Sequence, residues 1–303
     1  MRNFLLTLLM LATFALCVSL GSTGFDFDII TSLRMPRVIC VCLIGASLSI
    51  CGVAMQTLLK NPLADGSTLG ISSGASIGAV VAIILGGSFI FPFAVITAFL
   101  SLLLILFLTK KFDPGLNTNT IILVGVVFSM FSTSIISLLI ALFPENLRSI
   151  TFWTMGSVVG VDYAKCIVLG IAFVVCGAVI YRFSNELNIL SVGEENARNL
   201  GVNVGLVKIV VMVVVAVLIG VSVSIAGTIA FVGLIVPHIC RFIVGTNAKK
   251  LMPASIVFGS TFLMLCDLIS RTVVIPRELP IGVITSIIGA VVFVIVFTKQ
   301  RKR

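Results

Sequence analysis

Residues 34–78 read RMPRVICVCLIGASLSICGVAMQTLLKNPLADGSTLGISSGASIG. Arg34, Pro36 and Arg37 stand at one end of an apolar run long enough to cross a bilayer. Lys60, Asn61, Pro62 and Asp65 interrupt the chain at the other end. Gly70, Gly74 and Gly78 then open a second apolar run at a spacing that lets helices approach closely in lipid. Charge at one face, a broken backbone at the other and small residues between predict a membrane pathway.

The composition supports that reading. Of 303 residues, 59% are hydrophobic and 10% charged, where a soluble domain has roughly 45–50% and 25%. Mean hydropathy is +1.27. The apolar runs are continuous rather than alternating, which predicts helices and not a β-barrel. The net charge of +9 does not signal nucleic acid, because the basic residues cluster at the ends of apolar runs as topology demands.

About ten spans are expected, near 4–22, 38–58, 68–86, 91–108, 119–141, 164–182, 206–224, 228–245, 252–269 and 280–298. The first is read as a retained helix rather than a cleaved leader. With the N-terminus inside, one side holds Arg2, Lys60, Lys110, Lys111, Arg182, Arg198, Lys208, Arg241, Lys249, Lys250, Lys299, Arg301, Lys302 and Arg303. The other holds Arg34, Arg37, Arg148, Lys165, Arg271 and Arg277. The larger set marks the cytoplasm, which places both termini there. The smaller set runs against the bias. It reads either as interfacial snorkelling or as an outer docking surface for an acidic partner.

The chain also repeats itself. LIGASLSICG at 43–52 matches LIGVSVSIAG at 218–227 in seven of ten positions, and Pro62 and Pro237 keep the same offset. Five spans separate the copies, so they should run in opposite directions, the pattern of an inverted-topology repeat. Gly45 and Gly52, with Ser47 and Ser49 between them, form a small-residue face, and Gly220 and Gly227 form its counterpart. Close packing and pathway lining are both open to these serines.

Other features carry less. The eight cysteines lack metal-ligand spacing and read as small apolar packing residues. His238 is the only histidine, in VPHICR at 236–241, and reads as structural beside Pro237. Asp267 lies within a span and needs a partner or water; Arg271, four residues on, is the nearest. Residues 183–206 mix Glu186, Glu194, Glu195 and Arg198 with Leu187, Leu190, Leu200 and Val202. Short surface helices divided at Gly193 and Gly201 fit better than a passive linker, and a cytoplasmic partner could dock there. The phosphate-cradling, nucleophile-elbow and paired-histidine signatures are absent from the sequence. Nucleotide chemistry would therefore sit on another chain.

Arg34-Met35-Pro36-Arg37, Gly45-Ala46, Gly52, Gln56, Asn61-Pro62-Leu63-Ala64, Leu69-Gly70, Gly74-Ala75, Ala197, Leu200-Gly201-Val202, residues 231–238 (FVGLIVPH), Arg241 and Glu278-Leu279-Pro280-Ile281-Gly282 span nearly the whole chain. Together they resemble the FecCD-type permeases of bacterial ABC importers for iron-siderophores, haem and vitamin B12. Where that family shows Gly-Pro-Ile, this chain has Gly227-Thr228-Ile229, a change expected to soften a kink. The resemblance implies an all-α polytopic fold of the type II importer class, one permease domain over 1–303. It implies a dimer with an identical or paralogous permease subunit in the bacterial cytoplasmic membrane, in contact with lipid. Two cytoplasmic ATPase subunits would dock at about 184–203, here through Gly193, Glu194, Glu195, Ala197, Leu200 and Gly201, and would hold the ATP and magnesium. An extracytoplasmic binding protein would meet Arg34, Arg37 and Arg271. The inner gate would map to Asn61, Leu63, Thr118 and Asn119. This chain itself would carry no catalytic residue, metal or cofactor.

The expected activity is import of a ferric siderophore, with haem or cobalamin as alternatives. A secondary transporter driven by an ion gradient would need acids deep in several spans. An intramembrane enzyme would need a nucleophile–base or metal constellation.

Overall fold

The computed structural model describes residues 2–21, 26–66 and 68–301. Ser22, Lys302 and Arg303, which belong to the expected first span and basic tail, lie outside the described residues. The described chain is helical, and its ten principal helices fall on the ten expected spans. They are α1 (Arg2–Ser19), α2 (Phe27–Ile29) continuing through a π-helical turn (Ile30–Arg34) into α3 (Met35–Leu58), α4 (Ile71–Ile84), α5 (Ile90–Phe112), α6 (Thr118–Leu142), α8 (Tyr163–Arg182), α11 (Val204–Ala226), α12 (Val232–Val244), α13 (Ala248–Thr272) and α14 (Ile281–Arg301). Short helices lie between them: α7 (Leu147–Thr154), α9 (Ser184–Val192) and α10 (Glu194–Asn199). Among the described residues, six helices are long and apolar enough to cross a membrane, and four more are apolar but shorter.

The core is built on α3. It starts where Asp26 caps α2, accepting from the Asp28 and Ile29 amides at 2.9 and 3.4 Å. Pro36 then sits in the first turn of α3, where its missing N–H costs little. Small residues let α3 approach its neighbours. A Cβ on Gly45 would lie 2.4 Å from the Gly259 carbonyl oxygen of α13, and one on Gly52 would lie 1.9 Å from that of Gly233 in α12. Gly74 and Gly78 bring α4 against Ser101 and Thr97 of α5. Gly70 instead begins α4 in the left-handed conformation, at φ 69°.

The repeat copies do run in opposite directions. Ala226, at the end of α11, accepts from the Ser157 amide at 2.8 Å, and Ser157 lines one cavity with Arg37 of α3. At the other end of the bundle, Glu194 shares a cavity with Leu59 and Lys60 and pairs with Lys208 of α11. The start of α3 and the end of α11 therefore share one face, the Arg37 face, opposite a Lys208 face. Packing follows the same symmetry. Gly45, on the second principal helix, packs on the ninth, whereas Gly220, on the seventh, packs against Ala98 on the fourth. A five-plus-five repeat maps the first contact onto the second.

Three details refine the expectation. Pro62 lies in a turn while Pro237 lies inside α12, so their shared offset is not structural equivalence. Ser47 and Ser49 are fully buried, and Ser49 lies against Gly259, so they pack between helices rather than line a pathway. At the residue replacing the family's proline, Thr228 donates its hydroxyl to the Thr154 carbonyl and tethers the break.

Candidate functional site

Two breaks enter the bundle from opposite ends. Residues 59–66 and 68–70 precede α4, and Gly227–Phe231 precede α12. Because α4 has 14 residues, it is only about 21 Å long, short of the roughly 30 Å hydrocarbon core. Coil at that depth is permissible where protein covers it. Ala64 and Leu69 are fully buried, and a Cβ on Gly66 would meet Ile219 of α11.

Between the breaks lies a cavity of about 380 Å³, with Asp65, Ser72, Ser73, Ser76, Thr133, Ser137, Thr154 and Thr228 on its wall. Several wall hydroxyls donate to backbone carbonyls: Ser76 to Ser72 at 2.9 Å, Thr133 to Ser129 at 3.0 Å, Ser137 to Thr133 at 3.0 Å and Thr154 to Ile150 at 2.9 Å. A hydroxyl has one proton and two lone pairs, so these groups face the cavity as acceptors. Asp65 is the one charged side chain among the described lining residues. The sequence reading missed this wall. Its signal is the four-residue spacing of Ser129, Thr133 and Ser137 in an otherwise apolar span.

At the Arg37 face, Arg34, Arg37 and Arg271 come together as expected and line a cavity of about 290 Å³ with Glu278. All three already have partners within the chain. Arg37 is bound to Asp267 at 2.8 Å and to Glu278 at 2.8 Å. Arg271 lies 3.4 Å from the second Asp267 oxygen and donates to the Cys17 carbonyl. Arg34 donates to the Ser19 carbonyl at 3.0 Å. Arg34 and Arg271 thus hold carbonyls at the end of α1, which have no partner inside their own helix and carry the negative end of its dipole. The principal partner of Asp267 is Arg37, 230 residues away, with Arg271 second.

At the Lys208 face, a cavity of about 500 Å³ is lined by Leu59, Lys60, Asn117, Thr118, Asn119, Thr120 and Glu194. Thr118 and Asn119, from the expected gate, are among them. Asn61 and Leu63 do not line it, because the Asn61 side chain closes its own turn by accepting from the Leu63 amide at 2.9 Å. Leu59 and Lys60 stand there instead. Both loops contain a non-glycine residue in the left-handed region, Lys60 at φ 46° and Leu116 at φ 51°, a conformation that costs about 1–2 kcal/mol. Asp113 braces the second loop, accepting from the Gly115 amide at 3.0 Å and the Thr120 hydroxyl at 3.1 Å. The neighbouring Asn117 side chain is the main cause holding the Asp113 carboxyl below its ordinary range.

The expected docking segment forms α9 and α10, with Gly193 between them and Gly201 after at φ 80°. A groove of about 530 Å³ runs along Asn188, Ile189, Val192, Asn196, Asn199 and Leu200. Val192 and Leu200 are 75% and 70% exposed. Glu195 faces solvent, but Ala197 is buried and packs inside the pair, and Glu194 turns inward to the cavity. His238 stacks edge-on with Phe242, ring centroids 5.5 Å apart.

Helices interrupted at an acceptor-lined cavity, with a polar mouth at each face, define an integral-membrane transport permease. The FecCD transport family model matches residues 5–299, and the chain belongs to that family. It is 42% identical over 294 residues, 93% of this chain and 83% of the relative, to an uncharacterized ABC transporter permease protein, YvrB, of Bacillus subtilis (strain 168). It is 30% identical over 290 residues, 93% and 86% of the two chains, to the molybdate import system permease protein MolB of Haemophilus influenzae. A solved structure described as an inward-facing metal-chelate type ABC transporter matches with a TM-score of 0.92 at 30% identity, over 98% of each chain.

Proposed function

We propose that this chain is the permease subunit of an ATP-driven importer for a ferric siderophore in a bacterial cytoplasmic membrane. The observation that carries the reading is the central wall. Ser76, Thr133, Ser137, Thr154 and Thr228 spend their hydroxyl protons on backbone carbonyls and the one charge is a carboxylate, so among the described lining residues only Ser72 and Ser73 remain as hydroxyl donors for an oxyanion. A large neutral or cationic chelate fits such a wall better than molybdate does. Asp65 is already engaged by the Thr68 amide at 3.1 Å, and Asp267 by two arginines. Neither acid is poised as the proton or sodium site that a gradient-driven transporter requires.

In this reading the Arg37 face is extracytoplasmic and both termini are cytoplasmic. Arg34, Arg37 and Arg271 shape the mouth that receives a binding protein, with Arg37 able to exchange Glu278 for an acid on that partner. The groove along α9 and α10 receives an ATPase subunit through Leu200, Gly193, Gly201 and Glu195. A second permease, identical or paralogous, completes the pathway. ATP and magnesium stay on the ATPase pair.

The test is uptake of labelled iron as ferric siderophores, alongside haem, cobalamin and molybdate, in cells with and without this chain. Loss of ferric siderophore uptake on deletion is the expected result. Dependence of molybdate or cobalamin uptake alone would overturn the cargo while leaving the permease role.

A further inference from the structure

Lys208 is the largest fully buried side chain of the described residues, 1% exposed, and its position near the start of α11 is not explained by packing. Its ammonium donates to the Leu116 carbonyl at 2.7 Å and pairs with Glu194 at 2.8 Å. Those partners belong to different machinery. Glu194 is the first residue of α10, in the segment that forms the docking groove. Leu116 is the left-handed residue in the loop that leads to Thr118 and Asn119.

We propose that Lys208 is a positioning residue that couples the α9–α10 docking segment to the gate loop at 113–120. The proposal rests on the docking and gating roles given above. The physical reason is that a buried ammonium stripped of its carboxylate is costly. If ATPase movement carries α10 away, Lys208 must either follow Glu194 or remain with its charge uncompensated. Following it releases the Leu116 carbonyl. With that bond gone, the left-handed backbone at Leu116 is held from one side only, by the Asp113 brace. Motion at the docking groove therefore reaches Thr118 and Asn119 through one side chain. Glu194 lines the same cavity as those two residues, so the path needs no further intermediary.

Two measurements test this. The first uses the purified full chain in nanodiscs and needs neither cargo nor partner. Amide hydrogen exchange of residues 115–120 should quicken about tenfold in Glu194→Gln and in Lys208→Met, within the usual range of coupling between sites. Glu194→Gln is partly exposed and keeps the fold within reach if the buried variant does not assemble. The double variant should exchange no faster than Lys208→Met alone, because both changes cut one link. Unchanged exchange in Glu194→Gln, or additive effects, would overturn the relay. The second uses the complex reconstituted with its ATPase and binding-protein subunits. Cargo moved per ATP hydrolysed should fall about tenfold in Lys208→Met and recover substantially in Lys208→Arg. Parallel loss of transport and hydrolysis would also count against it. A wild-type complex that moves no chelate would sink the proposed cargo without touching the exchange result.

Discussion

The Arg37 face and the Lys208 face both bury charge, but they spend it differently. At the first, three arginines and two carboxylates join principal helices to one another: Arg37 of α3 to Asp267 of α13, and Arg271 of α13 to the end of α1. At the second, Lys208 joins a helix to two short connecting segments, one of them strained at Leu116. Charge between helices resists movement because every displacement separates ions out of reach of water. Charge between loops can transmit movement, because the loops can shift while their helices stay packed.

Substitutions at the two faces should therefore separate stability from motion. The largest effect belongs to Asp267→Asn, which leaves buried Arg271 without a carboxylate and Arg37 with Glu278 alone. It should cost about 3–5 kcal/mol, read as thermal unfolding of the purified chain in detergent. A loss below about 1 kcal/mol would mean that the cluster behaves like a surface pair and the comparison fails. Lys60→Gly acts at the other face and in the opposite sense. Lys60 is exposed at φ 46°, so removing its Cβ should stabilise the chain by about 0.5–1 kcal/mol by relieving left-handed strain. A fall in unfolding temperature would show that the lysine side chain holds that loop.

Glu278→Gln loosens the half-exposed partner of Arg37 while sparing Asp267. Its stability cost should stay under about 1 kcal/mol. Affinity for an acidic binding protein should rise severalfold, as measured by surface plasmon resonance at low salt, because Arg37 is released toward it. Weaker binding would assign the docking contact to Glu278 itself. The smallest effect is a pH dependence at the Lys208 face. The folded Asp113 carboxyl is depressed mainly by the Asn117 side chain. Its bracing of the loop is thus fully present above the ordinary carboxylate value of about 3.9 and is lost as pH falls through the lower folded value. Exchange at residues 115–120, corrected for intrinsic rates, should hold steady from neutral pH down to that range and then quicken. Asp113→Asn should remove the transition.

Much of the architecture was legible in the chain itself. Apolar runs place the principal helices, Gly45 and Gly220 mark the repeat, and the break at Lys60–Asp65 marks one end of the cavity. Each is a local pattern whose meaning lipid enforces, since a span must be apolar and its backbone satisfied. The two short helices on either side of Gly193 were equally readable from their amphipathic composition. The cavity wall was harder. Thr133 and Ser137 look like ordinary hydroxyls in a span until α6 is placed against α4.

Beyond the Asp267–Arg271 pair that i,i+4 spacing suggested, what the tertiary structure alone decided is the pairing of charges distant in sequence. Arg37 finds Asp267 across 230 residues, and Arg34 folds onto the end of α1. Lys208 passes in the sequence for one more basic residue at a helix end, yet it is buried between Glu194 and Leu116. Composition and periodicity determine which segments lie in the membrane, because burial of apolar surface depends on each segment's own residues. Partners for a buried charge depend on which helices become neighbours, and that is a property of the packed bundle.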